Sequence, residues 1–219
     1  MRIQFMMMGL GLVMAACGQE RSLIKEAEKE LAGGKSLSQL LSANAYDSIR
    51  TQTAFRELVK QHAASSEITI VRDQEPGEKI RVTGQLNDAQ GRHLPNTLIY
   101  FYQTDTRGWY GSDRVHFEMM QGDRLHARIF GYLKTDSTGR FAINTIQPHG
   151  YPQSELPAHI HFEVFDSQGK ALLITELLFD DDDRLIGERR SRSEAEGFLI
   201  AKPQTTKGKK IYHYTVIIH

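Results

Sequence analysis

The run Pro157-Ala-His-Ile-His-Phe-Glu-Val-Phe165 decides how this chain is read. Phe162, Val164 and Phe165 favour an extended backbone, so the stretch reads as a strand. On a strand, His159 and His161 project from one face with Cα atoms about 7 Å apart. Ile160, Phe162 and Val164 take the other face, which suits a core. Two imidazoles on one rigid face can share a metal ion without bending the backbone. Taken alone, a His-x-His pair is also compatible with two polar residues on a solvated face. The decision rests on the residues around it, beginning with Pro148-His-Gly-Tyr-Pro152, which sets a phenol a few positions upstream.

Working outward, the turns and strands follow a regular beat. Ile68–Val71, Ile80–Gly84, Thr97–Tyr102, Arg140–Ile143, Ala171–Ile174 and Ile211–Ile217 are rich in β-branched and aromatic residues. Glu75-Pro-Gly77, Ala89-Gln-Gly91, Asp136-Ser-Thr-Gly139 and Ser167-Gln-Gly169 separate them as turns. Many short strands with regular turns predict an all-β domain, an antiparallel β-sandwich over residues 67–219. Before it, residues 18–66 carry helical spacing. Ser22–Leu31 runs into Gly33-Gly34, a stop signal, and Ser36 can cap a second helix bearing Leu37, Leu40 and Leu41. Tyr46, Ile49, Phe55, Leu58 and Val59 continue an apolar stripe, expected to pack on the main domain or on a second copy. The segment is read as a helical extension and linker.

The chain has 219 residues, a formal net charge of +0 and 40% hydrophobic residues, enough for one medium domain with a sizeable core. A neutral balance with scattered Lys and Arg gives no case for nucleic acid. The clusters Arg189–Arg192 and Lys207–Lys210 are expected to be solvated loops. Asp180–Asp183 lacks the ligand spacing of a calcium loop and is expected to be a solvated turn.

Arg2 precedes an apolar stretch, Ile3 to Met14, of signal-peptide length and too short to span a bilayer. It ends in Met14-Ala-Ala-Cys17, which resembles the lipobox of bacterial lipoproteins. That resemblance implies removal of a signal peptide, residues 1–17 up to the cysteine, and lipidation of Cys17 as the mature N-terminus. Cys17 is the only cysteine, so no internal disulfide competes for it. Gly18 rather than an aspartate follows, as in lipoproteins sent to an outer membrane. The expected location is the bacterial cell envelope, lipid-anchored at the outer membrane. Ordinary signal cleavage nearby is the alternative.

Tyr110 and Tyr151 join the histidines as a possible four-residue site. A phenol has a pKa of about 10, and a trivalent, oxygen-seeking cation can remove its proton. Phenolate plus imidazole therefore suits Fe(III) better than zinc. Each tyrosine alone could equally be loop packing. Together the pieces resemble the intradiol ring-cleavage dioxygenases, from about Ile80 to Leu185. Gly91–Asn96, Leu98–Asp105 and Gly108-Trp-Tyr110 match the strand and loop supplying a first tyrosine ligand. Thr135–Phe141 and Thr145–Pro148 match the next hairpin, Tyr151-Pro152 a second tyrosine, Pro157–Phe162 the histidine pair, and Thr175–Phe179 the strand lining the far side of the pocket.

The resemblance implies a β-sandwich of intradiol type with non-haem Fe(III) on Tyr110, Tyr151, His159 and His161. It implies a small aromatic diol and O2 as partners, cleavage between the two oxygenated carbons, and a homo-oligomer. Tyr110 and His159 would stay on the iron, and Tyr151 would leave as substrate binds. Two positions depart from the family. Leu156 stands where an arginine is common, and Glu176 where a glutamine is common. Leu156, Trp109 and Glu176 are expected to line the substrate pocket, with Arg107, Arg114 or Arg128 as possible offsets for the changed charge. Two other readings stay open: a membrane-tethered binding module on the same fold, and a facial triad of His159 and His161 with Glu163 or Glu176.

Overall fold

The computed structural model describes residues 4–112 and 124–219. A helix, α1 (Gln4–Ala32), is followed by α2 (Leu37–Ser42), a short 3₁₀ segment (Asn44–Ile49) and α3 (Thr53–Gln61). Gly33 and Gly34 stop α1, with Gly34 at φ +94°. Ser36 caps α2 as expected: its Oγ accepts from Gln39 N at 3.2 Å, and Gln39 Oε1 accepts from Ser36 N at 2.9 Å. None of the described helices is long and apolar enough to cross a membrane.

Among the described residues, ten strands then build two five-stranded sheets. The first sheet orders β1 (Glu67–Thr69), β5 (Arg140–Ile146), β2 (Lys79–Asp88), β10 (Lys209–Ile218) and β9 (Pro203–Thr206). The second orders β4 (Ile129–Lys134), β3 (Leu98–Gln103), β6 (His159–Phe165), β7 (Ala171–Phe179) and β8 (Leu199–Ala201). Phe141 of one sheet meets Phe162 of the other, ring centroids 5.3 Å apart. Ile80, Val82, Ile99, Phe101, Ile143, Ile160, Val164 and Val216 are fully buried between them. Each such burial is worth about 1.5–3 kcal/mol against exposure.

The sheets are mixed rather than wholly antiparallel. β1 pairs with β5, β2 with β10, and β7 with β8 in parallel. A parallel partner needs a crossover, and between β7 and β8 a helix, α4 (Gly187–Ala195), supplies it. The basic cluster Arg189–Arg192 therefore lies on a helix, not in a loop. Its helical register lets Arg190 reach Glu194 at 3.1 Å, and it also pairs with Asp180. Asp180–Asp183 is likewise tied rather than merely solvated, because Tyr212 Oη donates to Asp181 and the Ala158 N–H donates to Asp182.

The helical segment is part of the domain. Leu40, Leu41, Tyr46, Ile49, Phe55 and Val59 belong to the same buried cluster as the sandwich interior. The apolar stripe expected to pack therefore packs on the main domain. Two buried arginines bind the layers. Arg50 donates to the carbonyls of Leu41, Ile70 and Arg128, and Arg56 donates to those of Ala127 and Arg124 and to Tyr100 Oη.

Candidate metal centre

The second sheet turns one face to the core and the other to the site. His161 sits opposite Tyr102 on β3 and Glu176 on β7, so these three share the site face by register. Tyr102 stacks on the His161 ring at 4.3 Å and 13° and fixes its plane. His159 is 6% exposed, and its Nδ1 lies 2.9 Å from the Pro157 carbonyl. That carbonyl can only accept, so Nδ1 carries the proton and Nε2 offers its lone pair to the site.

Tyr110 arrives on a turn after β3. The Asp105 carboxylate accepts the backbone N–H groups of Arg107 at 2.8 Å and Trp109 at 3.2 Å. Gly108 has φ +77° in this turn, and a Cβ there would strike the Gly150 carbonyl. Arg128 N donates to the Tyr110 carbonyl at 2.9 Å, and the Tyr110 ring is fully buried. Burial presses upward on the Asp105 pKa, yet bonds from Arg107 and the two turn N–H groups outweigh it and hold the carboxyl below its ordinary value.

Tyr151 arrives on the loop between β5 and β6. Arg184, in the turn after β7, donates to the Tyr151 carbonyl at 3.4 Å and the Leu156 carbonyl at 3.3 Å. Its guanidinium packs so closely on Gly150 that a Cβ there would collide with it. Asp182 accepts from Ala158 N at 2.9 Å and from Arg184 N at 2.8 Å. The acidic turn thus anchors the main chain next to His159 directly, and the chain around Tyr151 through Arg184.

These supports bring four donor atoms together. Tyr110 Oη lies 2.6 Å from Tyr151 Oη and 2.7 Å from His161 Nε2. Tyr151 Oη lies 2.9 Å from His159 Nε2 and 3.5 Å from His161 Nε2. The two Nε2 atoms are 3.2 Å apart. Donor atoms bonded to one metal at about 2.0–2.1 Å stand roughly 3 Å from one another, the spacing seen here. Two phenols and two imidazoles form a hard, anionic donor set that fits a trivalent iron.

Glu176 lies beside this set. Its Oε1 is 4.0 Å from His159 Nε2 and 3.8 Å from His161 Nδ1. The three residues form a group whose ligand atoms all fall within 4.8 Å of one another. Glu163, on the same face of β6, is instead held by Arg124 through two bonds of 2.7 Å.

The other expected residues divide. Trp109 adjoins Tyr110 with the Arg107 guanidinium 4.1 Å above its ring, whereas Leu156 is 46% exposed. Arg107 is bound to Asp105, and Arg128 to Glu75 and Asp105, so both cations are already committed to other carboxylates. Arg114 lies outside the described residues. Asp105, Asp182 and Arg184 are the supports that sequence reasoning missed. Only Asp105 left a local trace, as an Asx-turn before Gly108-Trp109.

The dioxygenase family profile matches residues 50–217. The chain is 33% identical over 123 residues to the protocatechuate 3,4-dioxygenase beta chain of Burkholderia cepacia, covering 52% of this chain and 51% of that one. It is 28% identical over 117 residues to catechol 1,2-dioxygenase of Acinetobacter baylyi, covering 46% and 36%. The chain thus spans about half the length or less of these relatives. In fold it resembles the dioxygenase domain of a carbohydrate-binding fusion protein from Streptomyces sp. SirexAA-E. There the TM-score is 0.52 and the identity 19%, over 71% of this chain and 88% of that one. Catechol 1,2-dioxygenase from Acinetobacter sp. ADP1 gives the same TM-score and identity over 71% and 57%.

Proposed function

This chain belongs to the intradiol ring-cleavage dioxygenase family, and on that premise we propose that it opens a catechol-type ring with O2 at an Fe(III) centre held by Tyr110, Tyr151, His159 and His161. The convergence of their four donor atoms within 2.6–3.5 Å carries the reading. Bound there, Fe(III) would supply Lewis acidity and a template for both catechol oxygens, activating the ring toward O2.

The protein's own residues divide the remaining work. Tyr110 is fully buried and its turn is fixed by Asp105, which suits a permanent ligand. Tyr151 is 8% exposed on a loop held from behind, which suits a phenol that swings out. Its Oη can then take one of the two protons the diol must lose. His159, with Nδ1 tied to Pro157, keeps Nε2 aimed at the centre. Tyr102 places aromatic surface beside Tyr110 and His161.

Iron-loaded protein should absorb broadly in the visible through phenolate-to-iron charge transfer. Tyr110→Phe should weaken that band and lower iron retention by more than about tenfold. Changing both tyrosines should remove the band. A colourless protein with full iron occupancy would sink this reading. A second reading, a tethered binding module without turnover, draws support from Glu176 at the histidines and the commitment of Arg107 and Arg128 elsewhere. Oxygen uptake with simple catechols separates the two.

We also infer that Cys17 is lipidated and that the domain works on the cell envelope. The short apolar segment ending in Met14-Ala-Ala-Cys17 supports this.

A further inference from the structure

We propose that Glu176 is itself a ligand of the iron centre, filling the resting coordination position that an incoming diol must take. This rests on the four-ligand reading and deepens it. Three observations point the same way. The β6–β7 register sets Glu176 directly opposite His161 on the site face. Its Oε1 stands 4.0 Å from His159 Nε2, within the span that two ligand atoms on one ion can reach when nearly opposed. Finally, among the described residues Glu176 has no arginine or lysine within ion-pairing distance, and its ionisable neighbours there are the two histidines.

A partly buried carboxylate needs a counter-charge. Histidines that ligate a metal are neutral and cannot provide it. The ion can. Two phenolates leave a trivalent iron one positive charge, and the Glu176 carboxylate cancels it, giving a neutral centre with no bound hydroxide. A neutral diol that gives up both protons as it binds would then displace Tyr151 and Glu176 together. Each would leave with one of the two diol protons, so charge and protons balance without external base. A glutamine at this position could do neither.

The test uses the full iron-loaded chain and azide as the exchangeable anion. Glu176→Gln should bind azide at least tenfold more tightly than the unaltered protein. Its visible band should move to longer wavelength, because iron with one anionic donor fewer is a better acceptor. Glu176→Asp keeps the charge but shortens the reach, so ligation requires that it behave like the glutamine variant. Water enriched in oxygen-17 should broaden the iron resonance of Glu176→Gln and leave that of the unaltered protein sharp.

Broadening in the unaltered protein would overturn the proposal, and that measurement needs no variant to fold. An aspartate variant indistinguishable from the unaltered protein would overturn it too, reducing Glu176 to a nearby charge. Either result in a coloured protein leaves the four-ligand centre standing. A colourless loaded protein overturns both.

Discussion

At Tyr110 and Tyr151 the same side chain is held in two different ways, and the difference supports the roles proposed for them. Tyr110 sits on a turn locked by Asp105, whereas the loop that carries Tyr151 is held through Arg184 bonds to its backbone. At Glu176 the chain adds a negative charge to the site, and at Leu156 it omits a positive one. A ring carrying a carboxylate misses the cation that Leu156 replaces, and it meets a like charge wherever Glu176 stands ionised and off the ion. At roughly 6 Å and an effective dielectric near 20, that costs about 2–3 kcal/mol. Oxygen uptake should therefore be faster with catechol and alkylcatechols than with protocatechuate, and Glu176→Gln should narrow the gap. Faster turnover of the carboxylated ring by the unaltered protein would contradict this. Glu75 yields a pH prediction. Burial presses its pKa upward, but Arg128 and Arg72 outweigh burial and hold it below 4.5. A depressed carboxylate stabilises the fold above its unfolded pKa and loses that contribution as pH falls through the folded value. Unfolding midpoints should therefore drop in acid below about pH 4.5. Glu75→Gln, which removes the charged bonds to Arg128 and leaves it Asp105 alone, should cost about 1.5–3 kcal/mol at neutral pH and flatten that drop.

Among the elements, the turn after β7 has the widest reach. Its Asp182 takes the N–H of Ala158, one residue before His159, and its Arg184 holds both ends of the loop that presents Tyr151. A run of four aspartates looks like a solvated turn in sequence, yet its first three members are committed to bonds, and that of Asp182 reaches the site. Asp182→Ala leaves a partly buried N–H without its acceptor. It should lower stability by about 1–2 kcal/mol and reduce iron retention by more than stability alone explains. Equilibrium denaturation paired with an iron assay on the folded fraction checks this; normal iron content at reduced stability would confine Asp182 to a folding role.

For the molecule as a whole, the helices are a third layer rather than a spacer. Arg50 and Arg56 run their guanidinium groups to carbonyls bordering the second sheet, and burial pushes the Arg50 pKa down to about 10. Any lipid anchor at Cys17 would therefore attach through α1 to a layer packed on the sheet that carries the candidate site. The membrane fraction should yield an acylated peptide starting at Cys17. A peptide with unmodified Cys17 still joined to Ala16 would contradict this.

The strands with clear alternation, the helix stops at Gly33-Gly34, the Ser36 cap and the placing of two histidines on one face were legible in sequence. Each depends on neighbours a few residues away, where backbone geometry fixes direction. The order Tyr110, Tyr151, His159, His161 was legible too, through resemblance. Strand β4 carries Gly131 within its span, and β8 and β9 are three and four residues long, too short to show a period. The parallel pairings escaped for a different reason. Pairing direction depends on which strand a crossover brings alongside, and no local pattern encodes that. The supports of the site were equally out of reach. Asp182 and Arg184 act on residues 24 to 33 positions away, and Arg128 acts on Glu75 across 53. Nor could sequence tell that Arg107 and Arg128 were already neutralised, since a charge's partner is chosen by distance in space. Local chemistry determined which groups could bind a metal; tertiary packing decided that they meet, and that Glu176 meets them.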